Sequence, residues 1–75
     1  MNTFSTRLKE LRIEKGLTQK NLAEAIGTTD DSIFSWEKGR SQPSFEMLKV
    51  LCIFFDVSSD YFIGLEDETG AKVRP

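Results

Sequence analysis

The sequence predicts an all-α fold of five short helices in a single domain. Three observations lead there. Apolar residues recur at three- and four-residue spacing along most of the chain, the period of a helix with one buried face. Four Ser/Thr residues in cap position (Thr18, Thr29, Ser44, Ser58) and four glycines (Gly16, Gly27, Gly39, Gly64) punctuate those stripes, as helix starts and stops do. Between Thr18 and Gly39, the run TQKNLAEAIGTTDDSIFSWEKG divides into two helices joined by a four-residue turn, with Gly27 at the joint.

The first helix is expected from about Phe4 to Lys15, with Leu8 and Leu11 turned inward, a cation in its last turn and Gly16 after it. The second starts at the Thr18 cap and ends near Ile26. Leu22, Ala23 and Ile26 make its buried face, and the small Ala23 lets a neighbouring helix approach. The third starts at the Thr29 cap and runs to about Lys38. Ile33 and Trp36 point inward, which leaves Asp30, Asp31, Phe34 and Ser35 on the opposite face. Arg40 to Pro43 form a loop. Ser44 caps the fourth helix, which runs to about Phe55 with Leu48, Leu51, Cys52 and Phe55 inward. Ser58 caps a short fifth helix anchored by Tyr61, Phe62 and Leu65. Residues 4–65 are the expected domain. Residues 66–75 are polar and aperiodic and are expected to be a flexible C-terminal tail.

Composition narrows the function. The chain has 75 residues, so its core is thin. It has no histidine, which removes the commonest general base and metal ligand. Its one cysteine, Cys52, rules out an intramolecular disulfide and reads as a small core residue. No Gly-rich phosphate loop and no metal-spaced cluster appears, so neither an enzyme nor a cofactor nor a small-molecule ligand is expected. There is no apolar run of membrane-spanning length, and the start MNTFSTRLKE lacks the apolar core of a signal peptide. A cytoplasmic protein with no membrane partner is the expectation. Net charge is −2, and it stays slightly acidic without the last ten residues. That balance weighs against strong non-specific nucleic-acid binding, although a local basic patch is enough for a specific contact.

The ordered set RLKELR at 7–12, GLTQ at 16–19, LAEAIG at 22–27, SIFSWEKG at 32–39, Pro43-Ser44 and VSSDYFIG at 57–64 resembles the phage repressor and Cro family of helix-turn-helix proteins. The likeness runs from about Phe4 to Leu65. It implies a compact five-helix bundle of the lambda-repressor-like DNA-binding type, with the second and third helices forming the helix-turn-helix. It also implies double-stranded operator DNA as partner, often bound by a homodimer whose third helices enter major grooves one helical turn apart.

Carried onto this chain, the resemblance gives two groups of site residues. For DNA they are Gln19, Lys20, Thr29, Asp30, Asp31, Ser32, Phe34, Ser35, Lys38, Arg40, Ser41 and Gln42. Gln19 stands where an amide touches phosphate or the neighbouring recognition helix. Thr29 is a cap whose hydroxyl or N–H also suits phosphate. Ser32 and Ser35 are short donors and acceptors, Ser35 on the groove side. Lys38 to Gln42 form the family's phosphate-binding loop, with Lys20 a further cation; a merely solvated loop is the competing reading. Asp30 and Asp31 occupy base-reading positions and have two readings. A carboxylate accepts from cytosine N4 in the major groove. It also stabilises a helix start, by about 0.3–1 kcal/mol, without any DNA. Phe34 fits a thymine methyl or a protein partner equally.

The second group is a dimer seam. Val50, Ile53 and Phe54 widen the apolar sector of the fourth helix beyond what one small core needs, and Val57, Ser59 and Phe62 lie near the family's usual seam. Arg12 and Glu37 match a pair that in the family bridges the first and third helices, a structural role. The expectation is a sequence-specific transcriptional regulator, a repressor acting as a homodimer on a two-fold symmetric operator. The rival is a protein-interaction module that kept the helix-turn-helix fold and lost DNA binding.

Overall fold

The computed structural model describes residues 3–67, 69, 71 and 72. Five helices follow in order: α1 (Thr3–Glu14), α2 (Gln19–Ile26), α3 (Asp30–Glu37), α4 (Phe45–Phe55) and α5 (Ser59–Ile63). The starts are set locally. The hydroxyl of Thr18 accepts from the N–H of Asn21 at 3.0 Å, and the Asn21 amide oxygen accepts in return from Thr18, closing a capping box. Thr29, Ser44 and Ser58 accept in the same way from Ser32, Met47 and Tyr61 at 3.2, 3.2 and 3.0 Å.

The ends are equally local. Each helix closes with a paired return of N–H groups to its last carbonyls, as Leu17 to Arg12 and Gly16 to Ile13 do for α1. The turning residue is glycine in four helices. In α4 it is Asp56, at φ 55°, a left-handed conformation that costs a residue with a Cβ more than it costs glycine.

Every helix sends one completely buried side chain to a common centre: Leu8, Leu22, Ile33, Leu51 and Phe62. Phe62 packs against Phe4 and Phe55, with ring centroids 5.2 and 6.4 Å away, spacings at which aromatic pairs attract. α2 and α3 pack directly together, and α1 and α4 each brace this pair. Buried Ser5 donates from Oγ to the Trp36 carbonyl at 2.5 Å, which ties α1 to the end of α3.

Two sequence expectations change. Leu65 is half exposed and anchors nothing. A Schellman return from its N–H to the Asp60 carbonyl swings it past the end of α5. The segment expected to be a tail carries structure in its described residues. Glu66 and Lys72 form an isolated antiparallel bridge. Asp67 accepts from the N–H and hydroxyl of Thr69 and from the N–H of Ala71. Arg7 donates to the Glu66 carbonyl at 2.8 Å and to the Tyr61 carbonyl, with its guanidinium 4.2 Å from the Tyr61 ring centre. Aperiodic sequence concealed this because a turn built on one aspartate leaves no apolar period to read. The expectation for Glu68, Gly70, Val73, Arg74 and Pro75 lies outside the described residues.

Candidate nucleic-acid interface

α3 is short, and its inward residues Ile33 and Trp36 leave the far side bare. Asp30, Asp31 and Phe34 are exposed there, and Ser35 is half-buried beside them. Asp30 uses one carboxylate oxygen to accept from the N–H of Asp31 at 3.0 Å, a local bond within the first turn. This fits the helix-start role of the pair and leaves the other oxygens turned to solvent. The Thr29 hydroxyl is engaged twice: it accepts from the Ser32 N–H and donates to Ser32 Oγ at 3.0 Å. Ser32 is thereby drawn to the cap and half-buried.

Beyond α3 the chain reverses at Gly39, φ 72°. Gly39 N–H returns to the Trp36 carbonyl, and Arg40 N–H to the Ser35 carbonyl, the paired bonds of a Schellman motif. A residue with a Cβ resists this conformation, so glycine sets where the following loop goes. The reversal carries Arg40 back over the face of Phe34. Its guanidinium carbon lies 5.5 Å from the ring centre, and the Lys38 ammonium 5.6 Å from it, both within the roughly 6 Å range of cation–π attraction. Ser41 returns as well, with its Oγ 2.7 Å from Ser35 Oγ. Lys38, Arg40 and Ser41 therefore stand together at the end of the bare face of α3. Gln42 and Lys20 are exposed nearer its margins.

Gln19 takes the first position of α2 and is half-buried. Its amide Nε2 donates to Glu37 Oε1 at 3.2 Å. Of the two contacts expected of this glutamine, the structure contains the one to the neighbouring helix. Glu37 is held in turn by Arg12, with Nε to Oε2 at 2.6 Å and Nη2 to Oε1 at 3.1 Å. The third guanidinium donor, Nη1, reaches the Leu17 carbonyl at 2.7 Å. One guanidinium thus joins α1, the α1–α2 turn and α3, and Glu37 carries the link on to α2.

The expected dimer seam separates into surface and core. Val50 and Ile53 are exposed on α4, Ile53 by 70%. Phe54 is only half-buried, edge-on to Phe55 with ring centres 5.0 Å apart and the Lys15 ammonium 5.4 Å from its ring. Val57 and Ser59 line a hollow of about 370 Å³ with Phe45, Leu48, Lys49, Cys52 and Ser58. Phe62 does not belong to this group. It is 0% exposed, because α5 is a single turn whose one inward position must fill the centre, so it has no surface to offer a partner.

Phe45 was missed by the sequence reading and is 91% exposed. Its spacing from Leu48, Cys52 and Phe55 places it close to the inward stripe, but it sits on the first turn of α4, where the core no longer lies beneath. An aromatic directly after a helix cap was the available signal. Burial pushes the Cys52 thiol up from its ordinary value, so it behaves as a packed side chain rather than a nucleophile.

With this geometry in place, known proteins fall into line. The helix-turn-helix family model matches residues 8–62. The chain is 37% identical over 71 residues to YobD, an uncharacterized HTH-type transcriptional regulator of Bacillus subtilis, covering 95% of this chain and 63% of that one. It is 29% identical over 76 residues to RstR, the cryptic phage CTXphi transcriptional repressor of Vibrio cholerae, covering 95% and 68% respectively. It therefore spans less than two thirds of YobD. Among solved structures, the restriction-modification controller protein C.AhdI from Aeromonas hydrophila superposes with a TM-score of 0.72 at 30% identity, over 81% of this chain and 88% of that one. The chain belongs to the helix-turn-helix family of the phage repressor and Cro type.

Proposed function

We propose that this chain is a sequence-specific DNA-binding regulator of transcription, a repressor acting as a homodimer on a two-fold symmetric operator. The observation that carries the reading is the bare outer face of α3 beside a loop that gathers Lys38, Arg40 and Ser41. That face enters the major groove, where Asp30 and Asp31 meet base edges, while Lys20, Lys38, Arg40, Ser41 and Gln42 and the start of α2 at Gln19 meet phosphates. Thr29 and Ser32 hold the start of α3 in place. The relatives support the assignment, since RstR is named a phage repressor. A protein working on chromosomal or phage DNA in a bacterium acts in the cytoplasm.

The dimer seam we propose comprises Val50, Ile53, Val57 and Ser59, with Phe54 at its edge and Phe45 added. Its support is the exposure of Phe45 and Ile53 beside the hollow under α4. A two-fold seam must be self-complementary, and a projecting ring next to a hollow meets that requirement.

The experiment is selection of duplexes from a random library at low salt, followed by titration of the best duplex with salt. Three cations per protomer (Lys20, Lys38, Arg40) on a dimer predict that log affinity falls against log salt with a slope of about −5. The alternative is a protein-interaction module. What favours it is the acidic start of α3 together with the exposure of Phe45. Failure of any duplex to enrich would select that alternative.

A further inference from the structure

We infer that Phe34 is a positioning residue for the phosphate loop rather than a reader of bases, which rests on the DNA-binding reading above. Its ring, 39% exposed on the outer face of α3, has the Lys38 ammonium and the Arg40 guanidinium both drawn over it, at 5.6 and 5.5 Å from its centre. Lys38 arrives there one helical turn on, at i+4. Arg40 arrives there only because the Schellman return at Gly39 folds the chain back, bonding its N–H to the Ser35 carbonyl at 3.0 Å. The adjacent residue does the same work with a different bond, Ser35 Oγ against Ser41 Oγ at 2.7 Å.

Phe34 and Ser35 therefore both face the loop. Three of the five residues from Lys38 to Gln42 are held against the helix end before any DNA arrives. Long cationic side chains lose rotamer freedom when they grip phosphate, and holding them beforehand lessens that loss. Phosphate contacts fix position without reading sequence. Base selection on this face then falls to Asp30 and Asp31, the exposed outer residues of α3 not engaged with the loop.

The test compares wild type, Phe34→Leu and Phe34→Tyr on a panel of duplexes that differ by one base pair each. Phe34→Leu is expected to weaken every duplex by a similar factor, about threefold to tenfold, the scale of exposed cation–π contacts. Phe34→Tyr keeps the ring and is expected to stay within about twofold of wild type. In a Lys38→Met/Arg40→Met background the Phe34→Leu loss is expected to vanish, since the partners it acts through are gone. A loss confined to duplexes with thymine at one position would identify a methyl contact and overturn the inference, as would a loss of full size in the background lacking both cations. A second measurement needs neither DNA nor the Leu variant. In the wild-type protein the side-chain methylene protons of Lys38 and Arg40 should resonate upfield from the ring current of Phe34, and ordinary random-coil positions for both would also overturn it. If wild type binds no duplex, the DNA-binding reading itself fails. If it binds and the panel shows a position-specific loss, only the role of Phe34 fails.

Discussion

Replacing Arg12 by methionine should nearly unfold this domain, although Arg12 touches none of the DNA-facing residues except through Glu37. Methionine keeps most of the apolar stem and removes the guanidinium. Glu37, whose side chain is only 4% exposed, would keep a single donor, the Gln19 amide at 3.2 Å. Breaking a buried pair from one side costs about 3–5 kcal/mol, because a charge stays behind without its partner. The whole stability of a 75-residue domain is about 4–11 kcal/mol. The opposite truncation is milder. Glu37→Leu leaves Arg12 its bond to the Leu17 carbonyl, and at 12% exposure the guanidinium retains some access to water. What is lost is chiefly the charged hydrogen bonding, about 1.5–3 kcal/mol. Removing both charges in Arg12→Met/Glu37→Leu strands neither, so the double variant should be more stable than Arg12→Met alone. Urea denaturation followed by far-ultraviolet circular dichroism gives the three differences and their coupling. A cost below about 1 kcal/mol for Arg12→Met, the value of a surface pair, would refute this account. So would a double variant equal to the sum of the singles.

Three further outcomes follow from the site and its surroundings. Asp30→Asn and Asp31→Asn should change which base is preferred at one operator position if a carboxylate accepts from cytosine, measured by repeating the duplex selection; tighter binding to every duplex with unchanged preference would leave the pair only its helix-start role. Ile53→Glu should cost little monomer stability, within about 0.5 kcal/mol for so exposed a position, yet turn a dimer into a monomer in sedimentation and weaken a two-half-site operator. A wild-type chain already monomeric at high concentration would contradict the seam. The Thr69 hydroxyl and N–H, with the N–H of Ala71, lower the Asp67 pKa below its ordinary 3.8. The folded value is the depressed one, so the contribution of Asp67 to its turn is complete above the ordinary value and disappears as pH falls through the lower folded one. Amide signals of Thr69 and Ala71 should move in that acid window, and Asp67→Asn should abolish the movement.

The parts of this protein that were legible in advance are those decided within a few residues. Thr18, Thr29, Ser44 and Ser58 each cap by a bond to the residue three places on, and the glycine stops act over the same span. Helix boundaries therefore came out within a residue or two of the structure. The inward positions of Leu22, Ala23, Ile26, Ile33 and Trp36 were equally readable, because α2 and α3 are adjacent in both sequence and space and each has one clear face. The Arg12–Glu37 bridge spans 25 residues, beyond local inference, and came only through the resemblance to a known family.

What the tertiary structure alone decided is which apolar side chains are covered and which polar ones are already engaged. Periodicity assigns a side chain to a face of its helix, but it does not say what lies opposite. Phe62 and Phe45 are both aromatic residues near the start of a helix. One meets Phe4, 58 positions away in the chain, and disappears into the centre. The other overhangs the end of the core and stays in solvent. Phe34 and Ser35 were assigned correctly to the outer face of α3, but only the folding back of the loop at Gly39 turns them toward Lys38, Arg40 and Ser41. Caps and stripes are short-range properties fixed by bonding geometry along one segment, so the sequence alone determined them. Exposure and engagement depend on contacts between segments distant in sequence, and those exist only once the five helices have closed on one another.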